Sequence, residues 1–265
     1  MSMPLFVKML QKNWKLLLIF FGVLTMYLTV MVSMYDPKDM DMLASMINLF
    51  PEEMMKAFGF STVVTDLTSY LASWLYGMLM FGFPMVYCII LGNRLVAKLV
   101  DDHSFAYLLS TPNSRVKIIV TQGVYALVSL VILFAALFGT GVLICTVMFP
   151  GMLDIPAFLR LNLTTMMVNM AVVMIVFFFS CLFNETKYSV GFGAGIPIAF
   201  LLMNMLGGAS ADAEILKQLS IYGWYDPVEL VRGSGILWIH FLYAGIIAVL
   251  FAAGTLVFHK KRLTL

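Results

Sequence analysis

Six stretches of about twenty residues carry no Asp, Glu, Lys or Arg: 16–34, 70–91, 118–140, 162–183, 189–206 and 236–258. A helix rises about 1.5 Å per residue and the hydrocarbon layer of a bilayer is about 30 Å thick, so each stretch is long enough to cross it. Continuous apolar runs such as 127–138 lack the alternation of a barrel strand, and an open sheet would leave unpaired edges in lipid. The pattern therefore predicts an all-α integral membrane protein with six transmembrane helices in a single domain covering 1–265.

The intervening segments carry their own patterns. In residues 3–15, Leu5, Phe6 and Met9 fall on one side of a helix and Lys8, Gln11, Lys12 and Lys15 on another. That arrangement predicts an interfacial helix separate from the first span, with a simple cytoplasmic extension of that span as the alternative. Between the first two spans, short helices are expected over 39–50 and 51–59, the second opened by Pro51, Glu52 and Glu53 and stopped by Gly59. In 207–235 the spacing of Ile215, Leu216, Leu219 and Tyr222 predicts a further amphipathic or re-entrant helix. Gly191-x-x-x-Gly195 allows close helix approach, within the chain or across a dimer seam, and Pro84 and Pro197 are candidate kinks.

Composition strengthens this picture. The chain is 62% hydrophobic and 11% charged, with 22 Phe and 22 Met, against about 25% charged in soluble domains. A soluble core cannot absorb that excess, so the missing solvent is lipid. The net charge of +2 is too small to suggest a nucleic acid partner. All 30 charged residues fall outside the six stretches. The N-terminal segment, 92–117, 184–188 and the C-terminal segment hold eleven basic residues and three acids, while the other three segments hold five basic residues and eleven acids. The positive-inside rule then puts both termini in the cytoplasm of a multi-pass plasma-membrane protein. Lys8, Lys12 and Lys15 before an apolar run resemble a signal peptide, but the run is too long and lacks a small-x-small cleavage site, so it reads as a retained span.

Several chemistries find no support. There is no GxxxxGK[ST] phosphate loop and no Gly-Lys pair anywhere, so this chain is not expected to be a phosphate-loop ATPase. Cys88, Cys145 and Cys181 are far apart in apolar runs, and Asp101-Asp102-His103 reads as a polar loop rather than a metal site. Glu52-Glu53 lacks the Arg and His that an intramembrane glutamic protease pattern wants, and Gly233-Ser234-Gly235 lacks a suitably placed His for a rhomboid serine. Ion-coupled carriers usually place a charge at mid-membrane. Here only neutral groups such as Asn169 and Asn204 are available.

Residues 92–115 are the most informative stretch. Phe105, Tyr107, Leu108 and Leu109 form an apolar cluster flanked by Asp101, Asp102 and Arg115, suited either to a partner surface or to packing under neighbouring spans. Asp101-Asp102 leading to Leu108-Leu109-Ser110-x-Pro112-x-Ser114-Arg115 closely resembles the loop after the second span in the ABC type-2 permease family. His103-Ser104-Phe105 and Gln122 depart from that family's usual residues. The helical first outer loop and long last outer loop also fit the family in order.

The resemblance implies the membrane subunit of a bacterial ABC exporter: a permease dimer, homomeric or with a related permease, carrying two ATP-binding subunits. Those partners would bind ATP and Mg, so this chain needs no cofactor and is not itself an enzyme. The implied coupling helix involves Asp101, Asp102, Phe105, Leu108, Leu109, Ser110, Pro112 and Arg115. The implied cargo is hydrophobic or amphipathic, such as a peptide antibiotic, a lipid or a drug. Met78, Phe81, Met85, Met203 and Asn204 are candidates for its path, because Met and Phe adapt to varied apolar shapes, although such residues more commonly pack between helices or face lipid. The rival readings are a membrane-embedded protease or lipid transferase and a regulatory membrane protein without a transport path.

Overall fold

The computed structural model describes residues 1–36, 54, 66–110, 113–209, 213–233 and 236–261. The helices expected over 39–50 and 51–59 lie outside them. Among the described residues there is no strand, and six helices are long and apolar enough to span a membrane. The chain is thus a multi-pass membrane protein.

The first long helix, α1 (Met3–Ser33), is continuous. The expected break between an interfacial helix and the first span is absent. Nothing from Lys12 to Leu18 interrupts a helix, and the first glycine is Gly22. Leu5, Met9 and Asn13 continue along one side as the same buried stripe as Leu24, Leu28 and Val32, while Lys8, Lys12 and Lys15 are exposed. Its 31 residues make a rod of about 46 Å. The excess over the hydrocarbon thickness accommodates the lysines.

The second span is not one helix. Asp66 caps α2 (Leu67–Trp74) by accepting from the Thr68 and Ser69 amides. The chain then turns around Gly77 before α3 (Leu79–Leu95) begins. Over the turn, the Leu75 and Tyr76 amides both donate to Leu71 O, and the Met80 amide donates to Leu75 O, a widening of the helical ladder. Pro84 sits inside α3, and its missing amide leaves Met80 O without the usual i+4 donor. Asn169 of the fourth span supplies it, its Nδ2 lying 3.3 Å from Met80 O and 2.9 Å from Thr165 O.

After α3 come two short helices, α4 (Ala97–Asp101) and α5 (Phe105–Leu109), then α6 (Arg115–Met148), capped by Ser114. The remaining spans are α7 (Ile155–Leu182), capped by Asp154, α8 (Thr186–Ala209) and α11 (Ile236–Lys260). Between the last two lie α9 (Glu214–Leu219) and α10 (Pro227–Arg232). The helix expected in this segment is therefore short, and Ile215 and Leu219 on it face outward while Tyr222 beyond it is buried.

α7 is the most enclosed span and packs against α3, α6, α8 and α11. Close approach at these seams needs glycine. A Cβ on Gly92 of α3 would come within 2.8 Å of Val176 of α7. Neutral polar side chains on α7 make directional contacts: Asn162 to the Tyr76 hydroxyl, Thr165 to the Tyr225 hydroxyl, and Ser180 to Ser189. Among the described residues no Asp, Glu, Lys or Arg is buried. Gly191 and Gly195 have nothing within 4 Å of where a Cβ would stand. Their pair makes no seam within the chain.

Contacts between sequence-distant residues sort into two ends. At one, the Ser2 amide donates to Thr121, Arg115 donates to Lys261 O, Lys261 Nζ donates to Cys181 O, and the Thr186 amide donates to Asp101. At the other, the Asp154 amide donates to Thr68, and Tyr35 packs on Tyr70 and Phe149. Arg160 donates to Leu230 O and Val231 O, satisfying the last carbonyls of α10. Six consecutive crossings require this sorting. Among the described residues, the first end carries Ser2, Lys261 and most of the basic residues, and the second most of the acidic ones.

Candidate functional site

The α4–α5 segment projects from the basic end. His103, at φ 54°, turns the chain between the two helices in the left-handed region. Phe105 is fully buried, its ring centroid 5.1 Å from that of Phe258 on α11. Among the residues that the resemblance assigns to coupling, Phe105 is the one that anchors the loop to α11. Leu108 and Leu109 are half-buried against the core. Tyr107 is the outward side chain at 80% exposure. Sequence reading gave it no separate weight within the cluster, although a short helix that buries Phe105 must turn another position to solvent.

The other expected loop residues divide by role. Asp101 Oδ2 accepts from the Thr186 amide at 3.3 Å and so caps the start of α8. Ser110 Oγ donates to Tyr107 O, closing the end of α5. Arg115 donates to Lys261 O at 3.4 Å, at the end of α11. Asp102 is exposed. Pro112 lies outside the described residues. The segment is thus tied to three spans: α3 through the chain, α8 through Asp101, and α11 through Phe105 and Arg115.

The Lys261 ammonium group is half-buried, reaching Cys181 O at 3.1 Å and standing 5.7 Å above the Phe258 ring. Desolvation holds its pKa down at about 8.

The expected cargo residues lie at the start of α3 and in the second half of α8. Phe81 and Met85 are buried at 2% and 7% exposure, and Phe81 packs against Tyr222 and Tyr225 with centroids 5.0 and 4.7 Å apart. Both belong to the packed interior. Met78, Met203 and Asn204 are half-buried. An apolar groove of about 670 Å³ lies elsewhere, between α7, α8 and α11, with Phe178, Phe179, Phe200, Phe241 and Ile246 in its walls and Ile221 at one end. None of the five expected residues lines it. No sequence signal marks it, because every span offers apolar faces.

Near the loop, a second cleft of about 380 Å³ is lined from α3, α4 and the start of α8. Among the described residues no three His, Cys, Asp or Glu side chains gather as a metal site. Comparison with protein-family models, with curated proteins and with solved structures gives no match.

Proposed function

We propose that this chain is the membrane-spanning subunit of an ATP-driven exporter of the ABC type-2 permease kind, working as a dimer and energised by two separate ATP-binding subunits at its basic, cytoplasmic end. The observation that carries this reading is the loop of residues 101–115, whose sequence resembles the family's coupling segment and whose short helix α5 holds Tyr107 outward.

The ties of that loop supply a route for force. A partner moving α5 pulls on α11 through Phe105 and Phe258 and on α8 through Asp101 and Thr186. Those two spans flank the apolar groove over α7. A hydrophobic or amphipathic cargo is consistent with that lining, and ATP-driven change in the separation of α8 and α11 would alter its access.

The test uses Tyr107→Asp in the full chain, purified from native membranes. Tyr107 is 80% exposed, so its replacement leaves the fold's own contacts intact. An interface tyrosine of the hot-spot class contributes about 2 kcal/mol or more, roughly thirtyfold in affinity. The expected result is that a nucleotide-hydrolysing ABC subunit accompanies the wild-type chain stoichiometrically and is lost from the variant at unchanged expression and thermal stability. Full retention of that subunit by Tyr107→Asp, or ATP hydrolysis by the isolated chain, overturns the proposal.

A further inference from the structure

The cleft at the junction of α3, α4 and α8 has an ordered lining. Ile89, Ile90 and Val190 come first, on the bilayer side. Asn93 and Arg94 stand one helical turn on, Lys98 a turn beyond them, and Asp101 and Asp102 last. Outward along the helices the sequence is therefore apolar, cationic, anionic. Arg94, Lys98, Asp101 and Asp102 are all exposed, and among the described residues they form no ion pair with one another. Asn93 Oδ1 is buried without a hydrogen-bond partner.

We propose that this cleft binds a zwitterionic aminophospholipid of the phosphatidylethanolamine class. Such a lipid presents its groups in the same order, acyl chain, phosphate, then ammonium. Arg94 offers a planar fork matched to phosphate oxygens, and Lys98 adds a second cation. The ammonium meets Asp102 and the free lone pairs of Asp101, with three N–H donors to share. The acyl chain leaves along Ile90 and the exposed Val86. The volume suits a headgroup, small-ligand pockets starting at about 300 Å³.

The same chemistry disfavours the two commonest alternatives. A choline headgroup has no N–H to donate and is typically held by aromatic faces, whereas no aromatic residue is among those lining the cleft. Phosphatidylglycerol would place its phosphate on Arg94 and Lys98 but offer the two carboxylates only neutral hydroxyls, with no cation to pair with them.

The test is lipid retention by the full chain, measured by native mass spectrometry with phosphatidylethanolamine, phosphatidylcholine and phosphatidylglycerol of identical acyl chains. The expected result is at least threefold preference for phosphatidylethanolamine. Asp102→Asn should bring phosphatidylglycerol level with it, and Arg94→Gln with Lys98→Gln should lower retention of every lipid at unchanged thermal stability. Should the double variant fail to fold, the wild-type ranking and Asp102→Asn still decide. Equal or stronger retention of phosphatidylglycerol by the wild type overturns the proposal, as does an unranked annulus indifferent to the variants. Complete displacement by soluble phosphoethanolamine overturns it too, since that would mark a site for a free phosphate compound.

Discussion

The contact between Asn169 and the carbonyl released by Pro84 is a quantitative test of how this membrane fold is held. Asn169 Nδ2 lies 3.3 Å from Met80 O, and a fold that needs this bond should show it as coupling between residues 84 and 169. Asn169→Leu removes an interhelical bond of a kind contributing about 0.6 kcal/mol on average and up to about 1.7 in bilayers. It also leaves Met80 O without a donor among buried surroundings, which costs about 1–3 kcal/mol. Against this, leucine removes the Asn169 Oδ1 atom, buried without a partner. The single substitution therefore mixes opposing effects.

A double-mutant cycle separates them. Pro84→Ala restores a backbone amide that can donate to Met80 O, making Asn169 Nδ2 dispensable. The cost of Asn169→Leu should then fall by about 1 kcal/mol in the Pro84→Ala background, and the substitution there should be neutral or stabilising. Reversible unfolding in mixed micelles, followed by circular dichroism as the dodecyl sulfate fraction rises, measures all four corners. Coupling below about 0.3 kcal/mol, the additivity expected of independent sites, would refute the assigned role.

Two further outcomes follow from the ends of the spans. With the Lys261 pKa held at about 8 against 10.5 for a free lysine, the unfolded chain binds the proton more readily between those values, so stability should rise as pH increases from about 8 to 10.5; denaturation across this range should show that slope, and the idea fails if Lys261→Met keeps it. For topology, Tyr107→Cys at the basic end should react with an impermeant maleimide only after permeabilisation, and Met152→Cys at the acidic end should react in intact cells. The native cysteines are all buried, and the reverse pattern would invert the membrane orientation.

What was legible in the sequence was the solvent. Charge-free stretches located all six spans because burying an ion in lipid is costly whatever the fold. Their true ends were also written, though as capping residues rather than hydropathy: Ser114 and Asp154 start α6 and α7 three and seven residues before the apolar runs of 118–140 and 162–183 begin. The ends of α10 are set the same way, with Asp226 as cap, Pro227 first, Glu229 in the first turn and Gly233 at φ 83° as the stop, none of which hydropathy registers. The central place of α7 was marked by Asn162, Thr164, Thr165, Asn169 and Ser180 in one span, since neutral polar groups in lipid seek protein partners. The break at Gly77 and the burial of Phe105 were not legible. Both depend on how helices meet, and an apolar residue inside a membrane protein does not announce whether it faces lipid or another helix.

The placement of directional contacts bears on how such a fold can move. Along their middle stretches α8 and α11 meet α7 mainly through apolar side chains, whose dispersion contacts tolerate small sliding. Their ends are held otherwise. On the acidic side, nine residues before the end of α8 and seven residues into α11, Ser220 donates to Phe200 O and Tyr243 donates to Ile221 O, so one short segment bridges both spans and supplies Ile221 to the groove. At the basic end the ties run through Asp101, Phe105 and Arg115 to the α4–α5 segment and the start of α6. A displacement applied to α5 therefore reaches α8 and α11 at one end while residues 220–222 restrain them at the other. Two rods held at one end and pulled at the other change their separation progressively along their length, with the largest change nearest the pull. On the proposed reading, this places the first opening of the apolar groove toward the basic end, the side on which an ATP-driven exporter must admit its cargo.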